Sequence, residues 1–72
     1  MYFRRIKDLR EDKDLLQKDI AKLLNTTQQH YSRIEKGLTE ITADRIVKLA
    51  IFYNVSADYI LELSNKKERK DI

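Results

Sequence analysis

Apolar residues Phe3, Ile6 and Leu9 recur every three positions at the start of the chain, with Arg4, Arg5, Lys7, Asp8, Glu11 and Asp12 between them. That period predicts a first helix over about residues 2–12 with a narrow inner face. Asp14 and Gln17 stand at the spacing of a capping box, which predicts a second helix from about residue 15. Its buried stripe runs through Ile20, Leu23 and Leu24 and ends at Asn25. Thr27 offers a hydroxyl to an early backbone amide, so a third helix runs from there to about residue 36, with Tyr31 and Ile34 inward. Gly37 then supplies a left-handed C-cap.

After a loop at 38–41, Thr42 is the expected N-cap of a fourth helix reaching about residue 53, with Ile46, Leu49, Ala50 and either Phe52 or Tyr53 inward. Asn54, Val55 and Ser56 break this pattern. Ser56 and Asp58 followed by Tyr59, Ile60, Leu61 and Leu63 predict a short fifth helix. Beyond residue 63 the segment is polar, and a flexible tail over 64–72 is expected.

One glycine and no proline argue against a meander of tight β-turns, whereas 38% charged and 42% hydrophobic residues at interleaved positions suit amphipathic helices. The fold class expected is therefore all-α, a five-helix bundle over residues 1–63. Cysteine is absent and histidine occurs once, which leaves no disulfide and no thiolate or imidazole cluster for a metal. No metal and no cofactor are expected. Charges interrupt the amino-terminal segment, and no stretch approaches the ~20 apolar residues that span a bilayer. The expected location is the cytoplasm, without membrane attachment.

Fifteen Lys and Arg against twelve Asp and Glu give a net charge of +3. Four of the fifteen, Lys66, Lys67, Arg69 and Lys70, fall in the tail, so the body is nearly neutral and lacks a broad positive field. Catalysis is not expected. His30 has no Cys, Ser or Asp at a catalytic spacing, and neither paired carboxylates nor a phosphate-cradling glycine loop occurs.

Residues 17–37 carry the most information. Two short apolar-periodic segments meet at Asn25 and Thr26, with small Ala21 at the expected closest approach, Leu24 and Ile34 closing the two segments, and Asn25 tolerant of a positive φ. This is the spacing of a helix-turn-helix. Gln28, Gln29, Ser32 and Arg33 then share an outward face, and amide and guanidinium groups can bond base edges in pairs in a major groove.

On these residues the chain to about Leu63 resembles the Cro/CI-type (XRE-like) helix-turn-helix domain, in a manner similar to lambdoid phage repressors. The carrying segments are RIKDLRED, QKDIAKLL, TTQQHYSRIEKG and IVKLAIFYNVSADYIL. The resemblance implies a regulator of transcription that binds double-stranded DNA, a repressor on a palindromic operator, with a homodimer forming on the DNA. It implies base contacts from Thr27, Gln28, Gln29, Ser32 and Arg33, and phosphate contacts from Gln17, Lys18, His30 and Lys36. It also implies an ion pair between Arg10 and Glu35, and a dimer interface at Tyr59, Ile60 and Leu63. No small-molecule ligand is implied.

The chain departs from the family pattern at Asn25 and Thr26 in the turn, at Leu16 where a Ser or Thr cap is usual, and at Leu38, Thr39, Glu40 and Ile41. The last group replaces basic residues and a proline and removes phosphate contacts. A rival from another class is a protein-interaction module such as an antitoxin component, with Leu38, Glu40 and the acidic residues of the first helix facing a partner.

Overall fold

A computed structural model describes residues 1–68, and among them it contains five α-helices and no strand: α1 (Arg4–Asp12), α2 (Gln17–Leu23), α3 (Gln28–Glu35), α4 (Ala43–Tyr53) and α5 (Ala57–Ile60). They fall into two compact units, α1 to α3 within residues 1–40, and α4 and α5 in the residues from 41 onward. Arg69 and Lys70 lie outside the described residues.

Three helices start where hydroxyl residues predict. Thr27 Oγ1 accepts from His30 N at 3.0 Å, Thr42 Oγ1 from Arg45 N at 3.3 Å, and Ser56 Oγ from Tyr59 N at 3.0 Å. The other two starts depart from expectation. Phe3 has φ −108° and ψ 89°, outside the helical region, so α1 begins at Arg4. Asp14 does not cap α2, because its backbone is committed to ending α1: Asp14 N donates to Glu11 O at 3.0 Å and Leu15 N to Arg10 O at 3.1 Å. The N-cap of α2 is Leu16, which has no side-chain acceptor, and Asp19 Oδ2 instead accepts from Leu16 N at 2.8 Å.

One device ends all five described helices. An amide two or three residues past the helix reaches back in a Schellman bond, from Leu15 to Arg10, Thr26 to Ala21, Leu38 to Arg33, Val55 to Ala50 and Leu63 to Asp58. The residue before each of these donors has a positive φ: Asp14 55°, Asn25 55°, Gly37 75°, Asn54 56° and Glu62 62°. Asn and Asp tolerate this region through local hydrogen bonding, and Glu62 is the least suited of the five. Gly37 is required twice over. Besides its φ, a Cβ there would stand 2.9 Å from Tyr2 Cβ and 3.0 Å from Tyr2 Cα.

In the first unit, α3 packs against both α2 and α1, and Ile6, Leu9, Ile20, Ala21, Leu24, Tyr31 and Ile34 are buried. Leu23, expected inward, is 36% exposed; the buried stripe passes through Ala21 instead. Glu35 is buried with them at 3% exposure, and a carboxylate in that position is tolerable only if its hydrogen-bonding capacity is met. Arg10 Nε donates to Oε2 at 2.6 Å and Arg10 Nη2 to Oε1 at 3.1 Å. Gln17 Nε2 donates to Oε1 at 3.1 Å, and the Tyr31 hydroxyl donates to Oε2. Arg10 also donates through Nη1 to Leu15 O at 2.8 Å, pinning the α1–α2 turn. The ion pair implied by the resemblance is thus present, inside a cluster that reaches all three helices.

Burial alone pushes the Glu35 carboxyl upward, but the hydrogen bonds from Arg10, Tyr31 and Gln17, with the Arg10 charge, outweigh it and hold the pKa below its ordinary 4.5. The same hydrogen bond to Glu35 raises the Arg10 guanidinium against the opposing effect of burial.

In the second unit α4 packs on α5, with Leu49, Ala50, Tyr53, Val55 and Ile60 buried. Tyr53, not Phe52, is the inward aromatic; Phe52 is 48% exposed and meets the Tyr53 ring edge-on at 5.1 Å. The segment after α5, where the sequence predicts a flexible tail, is joined to Ser56 by hydrogen bonds to its backbone carbonyls. Ser56 N donates to Lys67 O at 2.8 Å, Ser56 Oγ donates to Lys66 O at 3.2 Å, and Lys67 Nζ lies 5.6 Å from the centre of the Tyr59 ring. A hydropathy pattern misses such an attachment because its bonds run to backbone carbonyls, which every sequence carries.

Three outcomes follow. Glu35→Ala lowers unfolding stability by about 3–5 kcal/mol, the cost of leaving the Arg10 charge buried without its partner, while Glu11→Ala on the exposed side of α1 stays within about 0.5 kcal/mol. Equal denaturant midpoints for the two variants would contradict the assignment. Because the folded-state pKa of Glu35 is depressed, its contribution is complete above the ordinary carboxyl pKa and disappears as pH falls through the lower, folded value. The stability gap between wild type and Glu35→Gln therefore narrows on acidification below the ordinary value of 4.5; a gap that widened would reverse the sign. At the helix ends, Glu62→Gly raises stability by about 1 kcal/mol and Gly37→Ala lowers it by about 2–3 kcal/mol, read as melting-temperature shifts of opposite sign.

Candidate nucleic-acid interface

The outward face of α3 follows from which of its positions the core takes. At about 100° per residue, Tyr31, Ile34 and Glu35 occupy one side of the helix and Gln28, Gln29, Ser32, Arg33 and Lys36 the other. The first three are buried; Gln28, Gln29, Arg33 and Lys36 are exposed and Ser32 is half-buried. His30 falls at the seam between the two sides and is half-buried.

The five outward residues line an open surface groove of about 590 Å³ together with Gln17 and Leu38. Six of its seven lining residues are thus among the nucleic-acid contacts implied by the sequence resemblance. Two of them, Arg33 and Lys36, bring positive charge, and no carboxylate is among the described lining residues. Three implied contacts are not in the lining. Thr27 Oγ1 is engaged as the cap of α3, Lys18 is exposed on α2, and His30 sits at the seam.

Gln17 enters the groove from the amino end of α2 while its Nε2 is held by Glu35 Oε1. The implied phosphate contact has to be made with the amide already held on one side. That fixes the side chain before any ligand arrives, and a preorganised group loses less conformational freedom on binding. The nearby Leu16 amide is not available to an anion, because Asp19 occupies it. At the other end of the groove Arg33 Nε donates to Thr39 Oγ1 at 3.3 Å, so the loop after α3 steadies the guanidinium and leaves its terminal fork to other acceptors. Glu40 is engaged with the Met1 amino group at 2.8 Å in an exposed pair.

The implied dimer residues divide. Leu63 is 74% exposed and Tyr59 half-buried under Lys67, but Ile60 is fully buried at 0% exposure. Ile60 fills its own unit's core and has no surface to offer a second copy. Sequence reading missed Leu38 as a groove residue and Tyr31 and Gln17 as partners of Glu35. Tyr31 was detectable, since it stands four residues before Glu35 and shares its helix face; Gln17 and Leu38 reach their places only through packing and a turn.

No helix among the described residues is long and apolar enough to cross a membrane. The profile of the helix-turn-helix family matches residues 6–60. The chain is 35% identical over 68 residues to the HTH-type transcriptional regulator ImmR of Bacillus subtilis (strain 168), an alignment covering 90% of this chain and 54% of that protein. It is 33% identical over 76 residues to the uncharacterized HTH-type transcriptional regulator YobD of the same organism, covering 100% of this chain and 68% of that protein. The chain thus spans about half the length of the first relative and two thirds of the second. No solved structure gives a significant match. With the turn at Asn25, the buried Arg10–Glu35 pair and the polar outward face of α3 in place, these matches establish that the chain belongs to the Cro/CI-type, XRE-like helix-turn-helix family.

Proposed function

We propose that the chain binds double-stranded DNA sequence-specifically and represses transcription in the cytoplasm by occupying a palindromic operator as a dimer, with α3 in the major groove. Gln28, Gln29 and Arg33 meet base edges, Ser32 adds a direct or water-mediated bond, and Gln17 and Lys36 hold phosphates on either side. Two copies meet half-sites about 34 Å apart, one turn of the duplex. Leu63 and Tyr59 are the candidates for contact between the copies. No step of covalent chemistry and no cofactor enters this reading.

The observation that carries it is the single groove shared by Gln17, Gln28, Gln29, Ser32, Arg33 and Lys36. These side chains can donate to or accept from base edges and phosphates, and they are gathered on the one face of α3 that the core leaves open. The family to which the chain belongs and the names of its two relatives support the same conclusion.

Selection of bound duplexes from a random pool at two salt concentrations tests the proposal. Expected is a palindromic consensus from which Gln28→Ala and Gln29→Ala each remove discrimination at one position, about 1–3 kcal/mol per bidentate contact. Lys36→Ala weakens binding to all sequences alike and reduces the salt slope by about 1. Enrichment of no sequence, or a consensus indifferent to both glutamine substitutions, would overturn the reading.

A further inference from the structure

Leu38 is the one apolar side chain among the described residues lining the groove, and it is 61% exposed there. It is not a loose loop residue. Its amide donates to Arg33 O at 2.9 Å, Gly37 N donates to Ile34 O at 3.1 Å, and Gly37 holds φ 75°, so Leu38 is tied to the end of α3 by two hydrogen bonds and a backbone conformation that only glycine adopts freely. Thr39, the next residue, holds Arg33 Nε. An apolar residue at this place in a Schellman motif ordinarily packs on the residue three from the helix end. Here that residue is Arg33, itself exposed, and the leucine is left uncovered beside the polar base-reading face.

The edges of base pairs in a major groove are nitrogens and oxygens, with one apolar exception, the C5-methyl group of thymine. Resting on the DNA-binding reading above, we infer that Leu38 is a specificity-determining residue that packs on a pyrimidine C5-methyl in the major groove, beside the position met by Arg33. The chemistry recognised is the methyl group, so thymine and a C5-methylated cytosine both supply it. The glutamines and Arg33 bond donors and acceptors, and Leu38 adds discrimination that hydrogen bonds cannot provide, between a methylated pyrimidine and a bare one. A phosphate would gain nothing from the leucine, whose exposed methyl groups offer it neither charge nor donor.

The test uses the full chain and the duplex recovered by selection. Each thymine is replaced in turn by deoxyuridine, which removes the methyl and alters no hydrogen-bonding group. Wild-type protein is expected to lose about fourfold in affinity at one thymine of each half-site, the factor supplied by burying one methyl-sized group. Leu38→Ser is expected to bind the thymine duplex about fourfold more weakly than wild type and to bind thymine and uracil duplexes equally. Because Leu38 is exposed, its melting temperature should stay at the wild-type value, and Leu38→Met should restore the thymine preference.

A 5-methylcytosine at the same step, paired with guanine, should bind wild type more tightly than cytosine does, and Leu38→Ser should lose that difference too. If wild type shows no thymine-to-uracil difference at any position, or if Leu38→Ser keeps the difference, the inference is wrong while DNA binding stands. A selection that recovers no duplex would overturn the underlying reading, and this inference with it.

Discussion

Glu35 is the group on which the arrangement of α1, α2 and α3 depends. A carboxylate at 3% exposure costs several kcal/mol unless donors surround it, and its donors come from three different helices: Arg10, Gln17 and Tyr31. Apolar packing tolerates small slides between helices, whereas a bidentate guanidinium with two further donors on one carboxylate does not. The cluster therefore selects one register of α3 against its neighbours. That register decides which of its residues remain outside.

Gln17 belongs both to this cluster and to the groove, so the site inherits its shape from the core. One hydrogen of its amide is bound to Glu35, and the side chain consequently presents a fixed edge toward the outward face of α3. At the far end, Thr39 does for Arg33 what Glu35 does for Gln17. The groove is thus bounded by two polar groups held from behind, with the glutamines of the first turn of α3 between them. With two cations among its described lining residues, such a surface is better suited to reading the edges of a ligand than to attracting it from a distance.

Helix ends explain how the five described helices fit in so short a stretch with one glycine. Schellman closure reverses the chain within two residues, and Asp14, Asn25, Asn54 and Glu62 accept a left-handed backbone that costs each some stability. Glycine is kept for position 37, where the backbone of Tyr2 comes too close for any Cβ. The same closure sets Leu38 at the rim of the groove. A backbone device for ending a helix thereby also supplies the one apolar side chain among the described residues lining the groove.

Much of this was determined by sequence alone, and the physical division is clear. Local chemistry placed the starts of α3, α4 and α5 at Thr27, Thr42 and Ser56, because a capping hydroxyl bonds an amide three residues away. Periodicity sorted α3 into an inner side at Tyr31 and Ile34 and an outer one at Gln28, Gln29, Ser32 and Arg33, since both follow from 3.6 residues per turn. Resemblance, not periodicity, pointed to the Arg10–Glu35 pair, twenty-five residues apart.

What only tertiary structure decided involves groups brought together from distant positions or backbone shared between neighbouring helices. Asp14 was misassigned because two helices compete for the same few residues and the ending of α1 prevails. Ile60 and Leu23 were misplaced because the direction a short helix faces is set by what packs on it. The attachment of the 64–67 segment to Ser56 and the place of Leu38 in the groove depend on backbone geometry, which has no signature in residue type.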